Sequence, residues 1–173
     1  MFLSSKNISL RALEPTDLDF LYALENDASI WEVSNSVAPY SKFILQKYLE
    51  NAAADIYETR QLRFVIEAHE HGAVGAIDLF DFEPMHLRAG VGISVLAGFR
   101  QQKFASQALE LLKTYAQNLL NLHQLYASIP ADNFASLQLF RKAGFTECGT
   151  RKDWLKTAQG WKNVIEFQLL FAS

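Results

Sequence analysis

The chain is short of several residue types whose abundance would define its class. Its only cysteine is Cys148, so no disulfide can close within the chain and a reducing compartment is the simpler setting. Four prolines and eight glycines in 173 residues exclude collagen-like and low-complexity sequences. Neither sign of charge dominates: the net charge is −3, which argues against a nucleic-acid binder that gains affinity by neutralising phosphates. No apolar run approaches the roughly 18 residues of a membrane helix, and the opening MFLSSKNISLRAL has no signal-peptide core. These absences leave a cytoplasmic protein with neither membrane nor nucleic acid as partner. Half the residues are apolar, and 1–173 reads as a single domain with a substantial core.

The residues that are present alternate between two periods. ISLRAL (8–13) reads as a short strand, and EPTDLDFLYALEND as a helix with Pro15 in its first turn and Thr16 and Asp17 as caps. Residues 27–40 have no sustained period and read as a loop, in which Trp31 and Tyr40 are candidates to line a pocket. Ser41 starts a second helix with Ile44, Leu45, Tyr48 and Leu49 on one side. Strands follow at 62–68, 73–83 and 86–98. The last has apolar Leu87, Ala89, Val91, Ile93 and Val95 on one face, and His86, Arg88, Gly90, Gly92 and Ser94 on the other. A helix over 101–120 buries Phe104, Ala108, Leu111, Leu112, Tyr115 and Leu119. Then come a strand at 123–129, a helix from Asn133 to the stop at Gly144, and strands at about 145–156 and 161–171. This order predicts an α/β fold, with about seven strands in one mixed sheet, about four helices, and one crossover helix at 101–120.

The junction GFRQQKFASQAL (98–109) is where chemistry is expected. A strand that runs into a helix offers unpaired first-turn N–H groups to a phosphate. Such loops usually carry glycine, yet here none follows Gly98. Among proton-transfer groups, Asp78, Asp81 and Glu83 lie on one strand, and His86 alone nearby has an ordinary pKa in the neutral range. Strict alternation puts Asp81 and Glu83 on one face and Asp78 on the other. Asp81 and His86 are the catalytic candidates. The HEH at 69–71 lacks a third ligand, so no metal is expected. Cys148 has no neighbouring histidine and reads as a buried structural thiol, and Trp154 and Trp161 as core or interface residues.

HLRAGVGI, NLHQLYA and NFASLQLFRKAGF, with the junction between them, resemble the GNAT superfamily of acyl-CoA-dependent N-acetyltransferases. Within it the chain looks most like the spermidine and ribosomal-protein N-terminal acetyltransferase branch. The resemblance implies a mostly antiparallel sheet and acetyl-CoA as cosubstrate. It further implies transfer to a small-molecule amine or a protein N-terminus by direct attack on the thioester, with a homodimer as one assembly. It assigns the pantetheine arm to the backbone of Ile93, Ser94 and Val95, and the pyrophosphate to Arg100, Gln101, Gln102, Lys103, Phe104, Ala105 and Ser106. Asn133 and Phe140 complete the implied cofactor-binding set.

Lys103 and Gln101 replace glycines of the family pattern, and an Arg100–Lys103 cationic pair is expected to compensate. Phe140 stands where the family's proton-donating tyrosine is usual, and Gly90 where a glutamate is common. The alternative reading is therefore a degenerate member that binds acyl-CoA without transferring the acyl group.

Overall fold

The computed structural model describes residues 3–31, 38–52 and 55–172. In chain order the elements are β1 (Ile8–Arg11), α1 (Leu18–Glu25), α2 (Lys42–Glu50), α3 (Ile56–Thr59), β2 (Leu62–Ala68), β3 (Gly72–Glu83) and β4 (Arg88–Val95). They continue with α4 (Phe104–Asn118), β5 (Gln124–Pro130), α5 (Phe134–Lys142), β6 (Thr146–Thr157) and β7 (Gly160–Leu170). The seven strands form one sheet in the order β1-β2-β3-β4-β5-β7-β6. Every pairing is antiparallel except β4 with β5, whose connection is the expected crossover helix α4. The mixed, mostly antiparallel sheet read from the sequence is thus the architecture observed.

Local chemistry sets most boundaries. Ser41, Asp55 and Asn133 accept first-turn N–H bonds at the starts of α2, α3 and α5. Gly144, at φ 91°, ends α5 in a left-handed turn that closes through Phe145 N–H to Phe140 O at 3.0 Å. The one-turn α3 escapes the sequence reading because four residues are too few to show a period. The strand expected over 86–98 is shorter at both ends, where His86 falls in a turn and Ala97–Phe99 form a 3-10 turn. Within the loop expected at 27–40, Ala28–Ile30 form a 3-10 turn, while 32–37 lie outside the described residues.

The core lies between the sheet and α4. Ile77, Leu79 and Phe82 of β3 and Ala89 and Val91 of β4 meet Ala108, Leu109, Leu112 and Ala116. Leu119 was expected in this stripe, but the helix ends at Asn118 and Leu119 turns to solvent, 56% exposed. Trp154 and Trp161 are exposed on the outer hairpin rather than in the core. On the Arg63–Asp78 side of β2 and β3, α1 and α2 bury Leu21, Leu24 and Leu45.

One buried charge anchors α1. Asp17 accepts Arg11 through both oxygens, at 2.8 and 2.9 Å, and the Glu14 N–H at 2.8 Å. The Arg11 hydrogen bonds hold the Asp17 carboxyl below the ordinary aspartate range against the opposing effect of burial, helped by the Glu14 N–H. A folded-state pKa below the unfolded one makes this contribution fully present above about pH 4 and lost as pH falls below it. Asp17→Asn is expected to cost about 3 kcal/mol at pH 7 and much less at pH 3, measured by urea unfolding at both.

Candidate active site

β4 and β5 pair only over Arg88–Gly90 and Gln124–Tyr126. Beyond that point β4 continues along β3 as far as Val95, and β5 along β7 as far as Pro130, with no ladder between them. The gap is part of a cleft of about 530 Å³, a size suited to a small molecule. Its walls include Val91, Gly92, Ile93 and Ser94 of β4, Ala127, Ser128 and Ile129 of β5, and Asn133, Ser136 and Phe140 next to them.

The phase of the β4 backbone follows from its two ends. Leu87 O accepts from Gln124 N–H at 3.2 Å, and Leu96 N–H donates to Val74 O at 2.9 Å. Odd residues therefore address β5 and even residues address β3. Ile93 and Val95 present their backbone polar groups to the opening, whereas those of Ser94 are directed at β3 and Ser94 contributes only cleft wall. The Val95 carbonyl already accepts Arg100 Nε at 3.0 Å.

Beyond β4 the chain turns through Arg100 to Lys103 into α4. The first helical bond is Gln107 N–H to Lys103 O at 3.1 Å, so none of the N–H groups from Gln101 to Ser106 has an acceptor among the described residues. A fan of free donors at the positive end of a 15-residue helix is suited to an anion. Gln101 and Lys103 hold φ of 62° and 65°, the left-handed region that favours glycine, at a cost of about 1 kcal/mol each. The loop thus keeps the backbone path of a glycine-containing turn without the glycines.

The expected cationic pair is not formed. The Arg100 guanidinium turns toward the segment after α1, donating to Asp27 Oδ2 at 2.7 Å and Ser29 Oγ at 3.1 Å. The Ser29 hydroxyl, then its N–H and Arg100, hold the Asp27 carboxyl below its ordinary range despite burial. Lys103 is the exposed cation on the turn that has no ion pair among the described residues. Phe104 packs inward against Phe99 and His71, while Ala105 is half-buried and Ser106 exposed.

On the other side of the sheet, a bulge reorders the carboxylates. Phe80 pairs with Gly90 but Glu83 with Arg88, so β3 carries one extra residue. Asp81 takes up the irregularity at φ 47° and faces solvent. The bulge puts Asp78, Phe80 and Glu83 on one face and sends Phe82 into the core, 2% exposed. His86 is exposed in the turn between β3 and β4. Neither Asp81 nor His86 lines the cleft: the bulge and the turn direct both outward.

Asp78 does line the cleft, held by a residue the sequence did not single out. Arg63 Nε and Nη2 bond its two oxygens at 2.7 and 2.8 Å, and Arg63 Nη1 bonds Glu25 Oε1 at 2.5 Å. Burial opposes the Arg63 charge, but Asp78 and Glu25 outweigh it and hold its pKa above the ordinary arginine value. Two carboxylates and one guanidinium leave this wall with one net negative charge. The same three residues, with Tyr40, also border a second hollow of about 270 Å³ under α2. Trp31 supports the wall by donating from Nε1 to Glu25 O at 3.2 Å. The only sequence signal for Arg63 was one arginine inside the apolar strand LRFVIEA.

The absence of a side chain at residue 90 has a steric reason. A Cβ at Gly90 would lie 2.4–2.9 Å from the Phe80 ring, so no longer side chain fits there. Phe80 in turn meets Tyr126 edge-on at 6.0 Å. Phe140 is buried in the cleft wall with its ring against Phe145 at 5.0 Å. Cys148, expected to be buried, is exposed on edge strand β6. Among the described residues no group of three His, Cys, Asp or Glu side chains is placed to hold a metal ion, and no helix is long and apolar enough to cross a membrane.

A sheet split between two parallel strands, with free helix-start donors beside the split, is the arrangement of the acetyl-CoA-dependent N-acetyltransferases. The chain belongs to the GNAT acetyltransferase family, whose domain model matches residues 7–146. It is 29% identical over 143 residues to the spermidine N(1)-acetyltransferase of Escherichia coli strain K12, covering 83% of this chain and 75% of that one. Its fold matches that of a Vibrio cholerae spermidine N-acetyltransferase crystallised with CoA and spermine, with a TM-score of 0.85, 24% identity and 96% of both chains covered. A dodecameric structure of the Vibrio cholerae spermidine enzyme superposes with a TM-score of 0.80 at 26% identity, covering 96% of this chain and 95% of that one.

Arg63→Met would leave two carboxylates facing each other without their cation. A loss of about 3 kcal/mol is expected in urea unfolding at pH 7, and the double variant Arg63→Met with Asp78→Asn is expected to recover part of it.

Proposed function

We propose that the protein binds acetyl-CoA across the β4–β5 split and transfers its acetyl group to a primary amine of a polyamine. The observation that carries this reading is the set of unpaired N–H groups from Gln101 to Ser106, at the mouth of a cleft whose β4 wall has free backbone groups at Ile93. The pyrophosphate takes the N–H groups of the turn, with the Lys103 ammonium as a point charge. The pantetheine arm adds as a partial strand along β4, through Ile93 and the Val95 N–H, with Asn133 and Phe140 on its other side.

The acceptor enters from the side of the Arg63 wall. Asp78 and Glu25 attract an ammonium, and their single net negative charge suits one cationic nitrogen near the split. The neutral amine then attacks the thioester carbonyl, and a β4 N–H facing the opening stabilises the developing oxyanion. Catalysis by positioning accounts for much of the rate where strong acid–base groups are few. The polyamine acceptor rests on the spermidine acetyltransferases that the chain resembles. The protein is read as a single cytoplasmic domain that assembles into a homo-oligomer, a homodimer being its smallest unit.

Calorimetry with acetyl-CoA tests the cradle, and thiol release with spermidine and spermine tests transfer. Binding at about 10 µM or tighter and turnover with polyamines are expected. Lys103→Gly relieves about 1 kcal/mol of left-handed strain, so its melting temperature should hold or rise while acetyl-CoA binds more weakly at low salt. Tight binding without turnover on any polyamine, monoamine or peptide amine would leave an acyl-CoA binder in place of the enzyme.

A further inference from the structure

The cleft has a second polar pole that the cosubstrate does not use. Ser128 stands two residues past Tyr126, where β5 has just lost its pairing to β4, and it lines the cleft. Gly92 is two residues past Gly90 on the opposite strand, so Ser128 and Gly92 face each other across the opening, on the face of the sheet that carries Asp78. Ser128 is exposed toward the cleft, and its hydroxyl has a protein partner. It donates to Glu166 Oε2 of β7 at 2.7 Å, and Glu166 is the cross-strand partner of Ser128.

Glu166 is placed as a proton acceptor that does not itself reach the cleft. Its Oε1 is buried and makes no hydrogen bond, with Arg151 Nε of β6 at 2.9 Å but out of hydrogen-bond alignment. Tyr126 on β5 feels the charge of Glu166, and the Cys148 thiol of β6 reaches its backbone carbonyl at 3.5 Å. With its own proton committed to Glu166, Ser128 Oγ turns a lone pair toward the cleft and can accept from an amine.

We infer that Ser128 and Glu166 form the proton relay of the transfer reaction, resting on the acetyltransferase reading above. As the neutral amine nitrogen bonds to the thioester carbon, the carbonyl π pair moves onto oxygen. One N–H proton passes to Ser128 Oγ while the Ser128 hydroxyl proton passes to Glu166 Oε2. When the tetrahedral intermediate collapses, the C–S bond breaks and its electron pair leaves with sulfur. Glu166 then returns its proton to Ser128, whose hydroxyl proton goes to the thiolate. The products are the N-acetyl amine and coenzyme A thiol, and the relay ends as it began. A base and an acid are thereby supplied in one unit, where the Phe80 ring closes Gly90 to any side chain and Phe140 has no proton to give.

Ser128 is the catalytic residue of the pair and Glu166 a positioning residue that acts through it. The test uses full-length wild type, Ser128→Ala, Ser128→Thr, Glu166→Gln and the Ser128→Ala/Glu166→Gln double variant, with spermidine and acetyl-CoA over pH 5 to 10. Ser128→Ala and Glu166→Gln should each lower kcat about 100-fold, and the double variant no further, because one relay is cut in either place. Acetyl-CoA affinity should stay within about twofold, since neither side chain touches the cradle. Ser128→Thr should retain most of the rate, and Glu166→Gln should lower kcat while leaving the KM for spermidine within about twofold. A Ser128→Ala variant as active as an active wild type would overturn the relay alone. A wild type that binds acetyl-CoA but acetylates no amine would overturn it together with the reading beneath it.

Discussion

The structure turns on where the pairing of β4 with β5 stops. Two parallel strands that separate after Gly90 and Tyr126 leave backbone groups facing each other across a gap. Unpaired N–H and C=O groups in a partly buried place are costly unless something hydrogen-bonds them. The opening is stable because each strand stays fully paired on its far edge, β4 to β3 and β5 to β7. The unmet hydrogen-bonding capacity of the sheet is therefore concentrated on one side of each strand, where an extended ligand can supply the missing partner.

Around that gap the protein separates its charges by role. Arg63 is half-buried and saturated by Asp78 and Glu25, so it shapes a wall rather than binding freely. Arg100 ties the turn before α4 to Asp27 and Ser29, linking it to the segment that follows α1. What remains for an anion is backbone, together with one exposed lysine. A turn without glycine can therefore still offer donors to an anion. The donors are N–H groups, which any residue carries, and the left-handed angles of Gln101 and Lys103 are endured at modest cost.

Much of the fold was legible in the chain. The order of elements, the single mixed sheet and the crossover helix followed from periods of two and 3.6 residues, together with capping residues such as Ser41, Asn133 and Gly144, while its mostly antiparallel pairing was implied by the family resemblance. The junction at 98–109 was legible for the same reason, because a strand period ends where a helical one begins. The catalytic candidates were not. Asp81 and His86 were chosen from their residue types and an assumed alternation, and a single bulge between Phe80 and Glu83 undid it.

The sequence by itself determined which segments become strands and helices, and that a phosphate-sized set of donors stands at the start of α4. Those are local properties, set by residue spacing and by the backbone every helix start exposes. Only the tertiary structure decided which side chains meet. Arg63 reaches Glu25 across 38 residues and Asp78 across 15, and Ser128 reaches Glu166 across 38. Contacts at such separations depend on strand register and on the bulge that shifts it, and no short stretch of sequence encodes either one.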